Sequence, residues 1–411
     1  MLEPRQHTNT KTRLPGVVVL GMGAMIGLGP FLLLAPAAAG AGTWLLAGLP
    51  LAAIAALCAM YSTSERSSIR EHMGRWPGRV AATGRFVALG CLAVVLATTF
   101  GQYCGQYLAP DQPRVAAFAV LAVAVLGNAS GLLRWGTGLA WLIGGVVLVV
   151  LVLVIAACLA VPPPPAPLGT SAPPAGDPRS LMTAAAVLFL GFAGFERVTA
   201  PAKDEPQHGW RTTRRSIPVI VGIVTALYAL LAIGLLRQLG PARLALSPTP
   251  LRDAVIAADG AVMVPFVEFG AGVGLASCLV LVLAAMRRMV VEAAIEREVA
   301  TSLAAIARAG RTWPVDLVVG GFVALALPLL DTTDAVHLAA CCVLVHYAFA
   351  NAATRVELVE QDRTAPMRTA CFGLGISVML AMSLPPMTLL TTLGVLAAGS
   401  CLGALISQRW R

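Results

Sequence analysis

Apolar stretches of about twenty residues follow one another along almost the whole of this 411-residue chain, separated by short polar or basic loops. A helix needs about 20 such residues to cross the hydrocarbon of a bilayer. On that scale about twelve spans are predicted, near 14–36, 41–62, 82–103, 114–131, 136–161, 181–202, 217–239, 262–286, 315–330, 335–353, 369–385 and 387–406. Hydrophobic residues make up 58% of the chain and charged residues only 12%. A soluble domain carries about a quarter charged residues, so this chain cannot clothe a set of water-facing cores. Lipid takes the place of water around it. The reading is an all-α membrane protein, one polytopic domain across residues 1–411.

The formal net charge of +9 sits in the loops, not on one face that nucleic acid would need. With a cytoplasmic N-terminus, all but six of the 29 basic residues fall on the inside. Arg114, Arg179, Arg237, Arg243 and Arg252 lie outside, and Arg197 lies within a span. That asymmetry obeys the positive-inside rule and predicts a multi-pass protein of the cell membrane with both termini cytoplasmic. No signal peptide is expected, because the basic start leads into an apolar stretch too long for an h-region. The nine cysteines show no C-x-x-C spacing, so neither a metal site nor a disulfide framework is indicated. No cofactor motif stands out. Val161 to Pro178 is rich in proline and predicts a stiff outside spacer, whereas Met289 to Ala309 predicts an amphipathic inside connector.

Two spans are interrupted. The first carries Gly21-Met22-Gly23-Ala24-Met25-Ile26-Gly27-Leu28-Gly29-Pro30-Phe31, and the sixth carries Gly191-Phe192-Ala193-Gly194-Phe195-Glu196. Glycine weakens a helix and proline cannot continue one. Non-helical backbone at membrane depth survives only inside protein or beside a wet cavity, and paired interruptions in two halves point to a transporter's binding site. At the first break, the amides of Gly27, Leu28 and Gly29 are placed to hold a carboxylate at a half-helix start. Carbonyls around Met25 and Ile26 are placed to accept from an ammonium. At the second, the carbonyls of Leu190, Gly191 and Ala193 face the same group. Phe192 and Phe195 either cover the substrate or pack as ordinary core.

Gly23-Ala24-Met25-Ile26-Gly27-Leu28-Gly29-Pro30-Phe31 resembles the G-A-x-I-G-x-G-I-F motif of the amino acid–polyamine–organocation transporters. Gly194-Phe195-Glu196 resembles their sixth-span G-F-[DE]. Lys203-Asp204-Glu205-Pro206, Arg214-Arg215-Ser216-Ile217-Pro218 and Ala285-Met286-Arg287 follow in the family's order. The resemblance is nearest to the cationic amino acid transporter branch and compact bacterial permeases. It implies a LeuT-like five-plus-five inverted repeat with broken helices 1 and 6. It also implies alternating access and amino acid transport with proton coupling or exchange. The repeats would be 14–161 and 181–353, with 1–13 as a tail, 162–180 as the outside loop and 369–406 as two further helices. Leu28 stands where the family has a small or hydroxyl residue, and Pro30 where it has a branched aliphatic. Span five has no lysine to replace a sodium ion.

Ionisable residues inside spans are expensive and often functional. Glu196 is a candidate gate or proton acceptor; its plainer role is a helix cap or an ion pair. His346, deep in span ten, is a second candidate for gating or proton coupling, since histidine is the side chain suited to exchange protons near neutral pH; its plainer role is a hydrogen-bonded structural one. Glu268 stands near an outer vestibule or packs there. Arg197 is placed to reach toward the cytoplasm. The major facilitator G-x-x-x-D-R-x-G-R loop is missing, and no H-x-x-x-x-D or H-E-x-x-H suggests a membrane enzyme. A sensor that binds an amino acid without moving it is the remaining rival. The expectation is a secondary transporter, not an enzyme, for an amino acid or small amine, with protons as a second partner. Nothing in the sequence bears on oligomeric state.

Overall fold

The computed structural model describes residues 14–65, 67–109, 112–132, 137–163, 178–199, 209–296, 298 and 313–408. The tail 1–13, loop residues 164–177, the Lys203-Asp204-Glu205-Pro206 motif, connector residues 299–309 and the Arg197 side chain lie outside that description. The described chain is helical throughout, without strands.

Helices α1 (Leu14–Ile26), α2 (Gly29–Leu32) and α3 (Leu34–Ala41) make up the first, interrupted stretch. There follow α4 (Leu45–Ser64), α5 (Ile69–Met73), α6 (Arg75–Leu108), α7 (Pro113–Ser130) and α8 (Thr137–Ala160). The second interrupted stretch holds α9 (Pro178–Phe189), a 3₁₀ turn at Leu190–Phe192 and α10 (Glu196–Thr199). Beyond it lie α11 (Trp210–Leu246), α12 (Pro250–Ala257), α13 (Val264–Ile295), α14 (Trp313–Ala326), α15 (Thr332–Glu360), α16 (Thr364–Met382) and α17 (Pro386–Gln408).

Among the described residues, eight helical runs are long and apolar enough to cross a membrane: Leu34–Ser64, Arg75–Leu108, Pro113–Ser130, Gly138–Ala160, Trp210–Leu246, Ala261–Ile295, Thr332–Glu360 and Pro386–Gln408. Three more apolar helices, Ser180–Phe192, Trp313–Ala326 and Pro366–Met382, are shorter. The first and sixth predicted spans fall short of that length for the reason expected. Each is cut by its own break, so α1 has 13 residues and α9 has 12. Several helices outrun their predicted spans. The apolar run of α6 ends near 82 and 103, but the helix continues into polar sequence at both ends, because hydropathy measures lipid thickness and not helix length.

The interrupted stretches lie at the centre. α1 packs on α8 and α11, while α3 and α9 pack on each other and α9 also packs on α4. α6 runs alongside α7, α13 and α15. Apolar side chains cover the outside as well: Leu142, Leu390, Leu393, Leu402 and Leu405 are all exposed, as lipid contact requires. Backbones approach closely where glycine permits. A Cβ on Gly101 of α6 would stand 2.1 Å from the Pro113 carbonyl oxygen, so α7 can meet α6 there only over a glycine.

Candidate functional site

Helix α1 stops at Ile26 for a backbone reason. Pro30 has no N–H to give to the Ile26 carbonyl four residues back, and its ring crowds that carbonyl. Gly27 and Leu28 form a turn, and from the backbone the Met25 carbonyl accepts a long bond, 3.4 Å, from the Leu28 N–H. Helical bonding resumes at once, with Leu33 N–H donating to Gly29 O at 3.0 Å. The second interruption is deeper. After the 3₁₀ turn, Ala193 is extended (φ −60°, ψ 151°) and Gly194 takes φ 99°, a region that favours glycine. The Leu190 carbonyl accepts from Ala193 N–H at 2.9 Å. Both breaks are therefore present at Gly27 and Gly194.

Tyr228 of α11 joins them. Its hydroxyl lies 2.9 Å from the Met25 carbonyl oxygen and 2.8 Å from the Gly191 carbonyl oxygen. The phenol has one proton and faces two acceptors. Its ring fills the space that two glycines leave. A Cβ on Gly29 would stand 2.1 Å from the phenol oxygen, and one on Gly191 2.7 Å from ring carbon Cε2. Phe192 packs on the ring at 5.7 Å between centroids. Met25, Ile26, Leu28, Leu190, Phe192, Phe195 and Tyr228 are each at most 3% exposed, so the place where the breaks meet is closed. Ala193 is only half-buried.

Beside this junction lies a cavity of about 30 Å³ between α1, α8 and α13, lined by Gly23, Gly27, Gly144, Gly274, Ser277 and Cys278 among others. That is room for about one water. Gly27 forms its wall against α13: a Cβ there would stand 2.6 Å from Cys278 Sγ.

Past the second break the chain turns polar. Glu196, the first residue of α10, pairs with Arg85 of α6 and accepts a 2.8 Å hydrogen bond from the Tyr347 hydroxyl of α15. Tyr347 in turn packs against Phe189, Phe195 and His346, with ring centroids 5.6, 5.3 and 5.1 Å away. His346 Nδ1 meets the Ala81 carbonyl at 3.0 Å. Charged ties extend to the same end of the molecule: Glu65 pairs with Arg214 and Arg363, Glu298 with Arg70 and Arg79, and Arg287 with Asp316.

At the far end of α6, about 27 Å from Arg85 along the helix, Tyr103 meets Phe31 edge-on at 6.1 Å. The Tyr103 hydroxyl accepts from Leu251 N–H of α12 at 3.3 Å. Nearby, the buried Glu268 accepts from Gln106 at 2.7 Å and Tyr107 at 2.6 Å, and lies 3.4 Å from Arg252. Polar clusters thus stand toward both ends of α6, around Glu196 and around Glu268.

The model of the Amino acid permease family matches residues 14–405, which takes in both breaks and both polar clusters. The chain belongs to that family. It is also 33% identical, over 97% of its own length and 92% of theirs, to uncharacterized transporters of Mycobacterium tuberculosis and Mycobacterium bovis. It is therefore a multi-pass transporter of the amino acid permease family, as its sequence motifs indicated.

Among the residues singled out from sequence, Met25 and Gly29 of the first break and Gly191 and Phe192 of the second come together in the permease around Tyr228, whereas Gly27 faces Cys278 of α13. Phe195 does not join them; it packs with Tyr347 on the Glu196 side. His346 stands beside Tyr347 with a backbone partner, so it borders the Glu196 cluster without bonding to it. Sequence reasoning missed Tyr228, Arg85 and Tyr347. By charge asymmetry Arg85 falls on the inside like a loop cation, yet it lies ten residues into α6. A signal for Tyr228 existed: a phenol midway along an apolar span must find a hydrogen-bond partner there.

Proposed function

We propose that this permease moves a neutral or modestly polar amino acid, or a similar small amine, across the cell membrane by alternating access. The single observation that carries the reading is that carbonyls of two different interrupted helices converge on one hydroxyl, at 2.9 and 2.8 Å. Two backbone acceptors aimed at one point suit an ammonium, and the amides of Gly27, Leu28 and Gly29 suit the carboxylate. In this reading the chain has about twelve spans, with repeats over 14–161 and 181–353, two further helices over 369–406 and both termini in the cytoplasm. The Glu196–Arg85–Tyr347 cluster is the inner closure, and Glu196 is its proton acceptor. A dibasic substrate is disfavoured because the carboxylate next to the breaks already carries an arginine.

The test is uptake of a panel of labelled amino acids into proteoliposomes, with and without a pH gradient. Saturable uptake of at least one neutral amino acid, stimulated by the gradient, is expected. Equal counts in protein-free liposomes across the whole panel would remove the transport reading.

A further inference from the structure

The Tyr228 hydroxyl stands within hydrogen-bonding distance of a carbonyl from each interrupted helix, 2.9 and 2.8 Å away. It also stands where the converging carbonyls would meet an ammonium. A phenol has a single proton, so one of the two carbonyls is under-satisfied at any moment. An ammonium has three N–H donors and forms charge-assisted bonds about twice as strong. It satisfies Met25 O and Gly191 O together. The close approach depends on Gly29 and Gly191, where any Cβ would collide with the phenol. The ring is buried and is backed by Phe192, so the junction is stoppered by a side chain of the protein itself.

We propose that the Tyr228 hydroxyl is a built-in stand-in for the substrate's amino group: it latches the two interrupted helices together in the empty transporter, and a substrate displaces it by supplying a primary ammonium to the same two carbonyls. This rests on the transport reading above and names the chemistry that reading requires of the ligand. A ligand without an N–H donor, such as the 2-keto acid with the same side chain, has nothing with which to displace the phenol.

Tyr228→Phe keeps the ring and removes only the hydroxyl. Two measurements are made on wild type and variant after size-exclusion chromatography and thermal unfolding show that both are folded. The first is backbone hydrogen exchange without ligand. Exchange over residues 25–29 and 190–194 is expected to rise in the variant, by about two- to tenfold, the equivalent of one lost hydrogen bond, with α6, α13 and α15 unchanged. The second is the KM for uptake of a neutral amino acid, which is expected to fall by a similar factor because the competitor is gone.

Unaltered exchange at both segments overturns the latch. A raised KM with both segments loosened overturns the displacement, because the hydroxyl would then be helping to bind substrate. If exchange rises but neither protein takes up any amino acid or amine, the transport reading fails and displacement by an ammonium fails with it. If both proteins transport with equal KM, displacement alone is overturned and transport stands.

Discussion

A Cβ on Gly29 would stand 2.1 Å from the Tyr228 hydroxyl oxygen, 2.5 Å from Cζ and 2.8 Å from Cε2. The whole distal edge of the phenol rests on that glycine. Gly29→Ala is therefore expected to push the ring out of its place. A forced shift in a packed core costs about 1–3 kcal/mol. Uptake should fall roughly tenfold or more while the protein still inserts and purifies. Gly23→Ala, only six residues earlier, meets nothing within 4 Å and should leave uptake as in wild type. Equal losses in the two variants would show that the effect comes from helix α1 in general and not from the contact with Tyr228.

Gly194 carries φ 99° at the deepest point of the second break. An L side chain there costs about 1–3 kcal/mol in backbone strain. Gly194→Ala is expected to lower the unfolding temperature and to depress the maximal rate of uptake, because the break itself is strained. Thermal unfolding in detergent, paired with initial-rate uptake, checks both. A variant indistinguishable from wild type in both would mean that the second break does not depend on this conformation.

Glu196 gives one oxygen to Tyr347 and pairs with Arg85. Glu196→Gln keeps the shape and leaves Arg85 without its counter-charge. Loss of one partner of a fully buried pair costs about 3–5 kcal/mol, but these side chains are 22% and 33% exposed, so about 1–2 kcal/mol is expected here. Uptake by the variant should no longer respond to an imposed pH gradient. Removing the charge on both sides, Glu196→Gln with Arg85→Gln, should return part of the stability, which a double-mutant cycle reads as coupling. An unaltered pH profile in Glu196→Gln removes this carboxylate from proton coupling, whatever its effect on stability.

At the opposite end of α6, Glu268 is 1% exposed and is met by Gln106, Tyr107 and Arg252. Glu268→Ala leaves those donors facing an empty place. The expected loss of stability is modest, because Gln106 and Tyr107 are exposed and water takes over their bonds. It should loosen α12, which leans on the same helix through the Leu251–Tyr103 bond. Faster hydrogen exchange over 250–257, with the Glu196 end unaffected, is the expected pattern. Uniform loosening of the whole bundle would contradict a local role.

The two breaks were legible in the sequence because glycine and proline act through the backbone, where they stand. Gly27, Pro30 and Gly194 interrupt their helices in the structure as the sequence implied. What holds the breaks together was not legible. Tyr228 lies 203 residues from Met25 and 37 from Gly191, and nothing local marks it as their partner. Arg85 lies near the start of an apolar run, as a loop cation would; only the tertiary fold, which brings α10 within reach of its side chain, pairs it with Glu196. Phe192 and Phe195 are three residues apart, yet they serve different clusters, Tyr228 and Tyr347. The unwound Ala193–Gly194 backbone between them breaks the helical register that would have placed them on one face.

A density map of the purified protein with a saturating transported amino acid tests the central claim most directly. The account predicts the ligand's amino group within hydrogen-bonding distance of the Met25 and Gly191 carbonyls, its carboxylate at the Gly27–Gly29 amides, and the Tyr228 hydroxyl released from both carbonyls. Ligand density elsewhere, with Tyr228 still bonded to both interrupted helices, would contradict it.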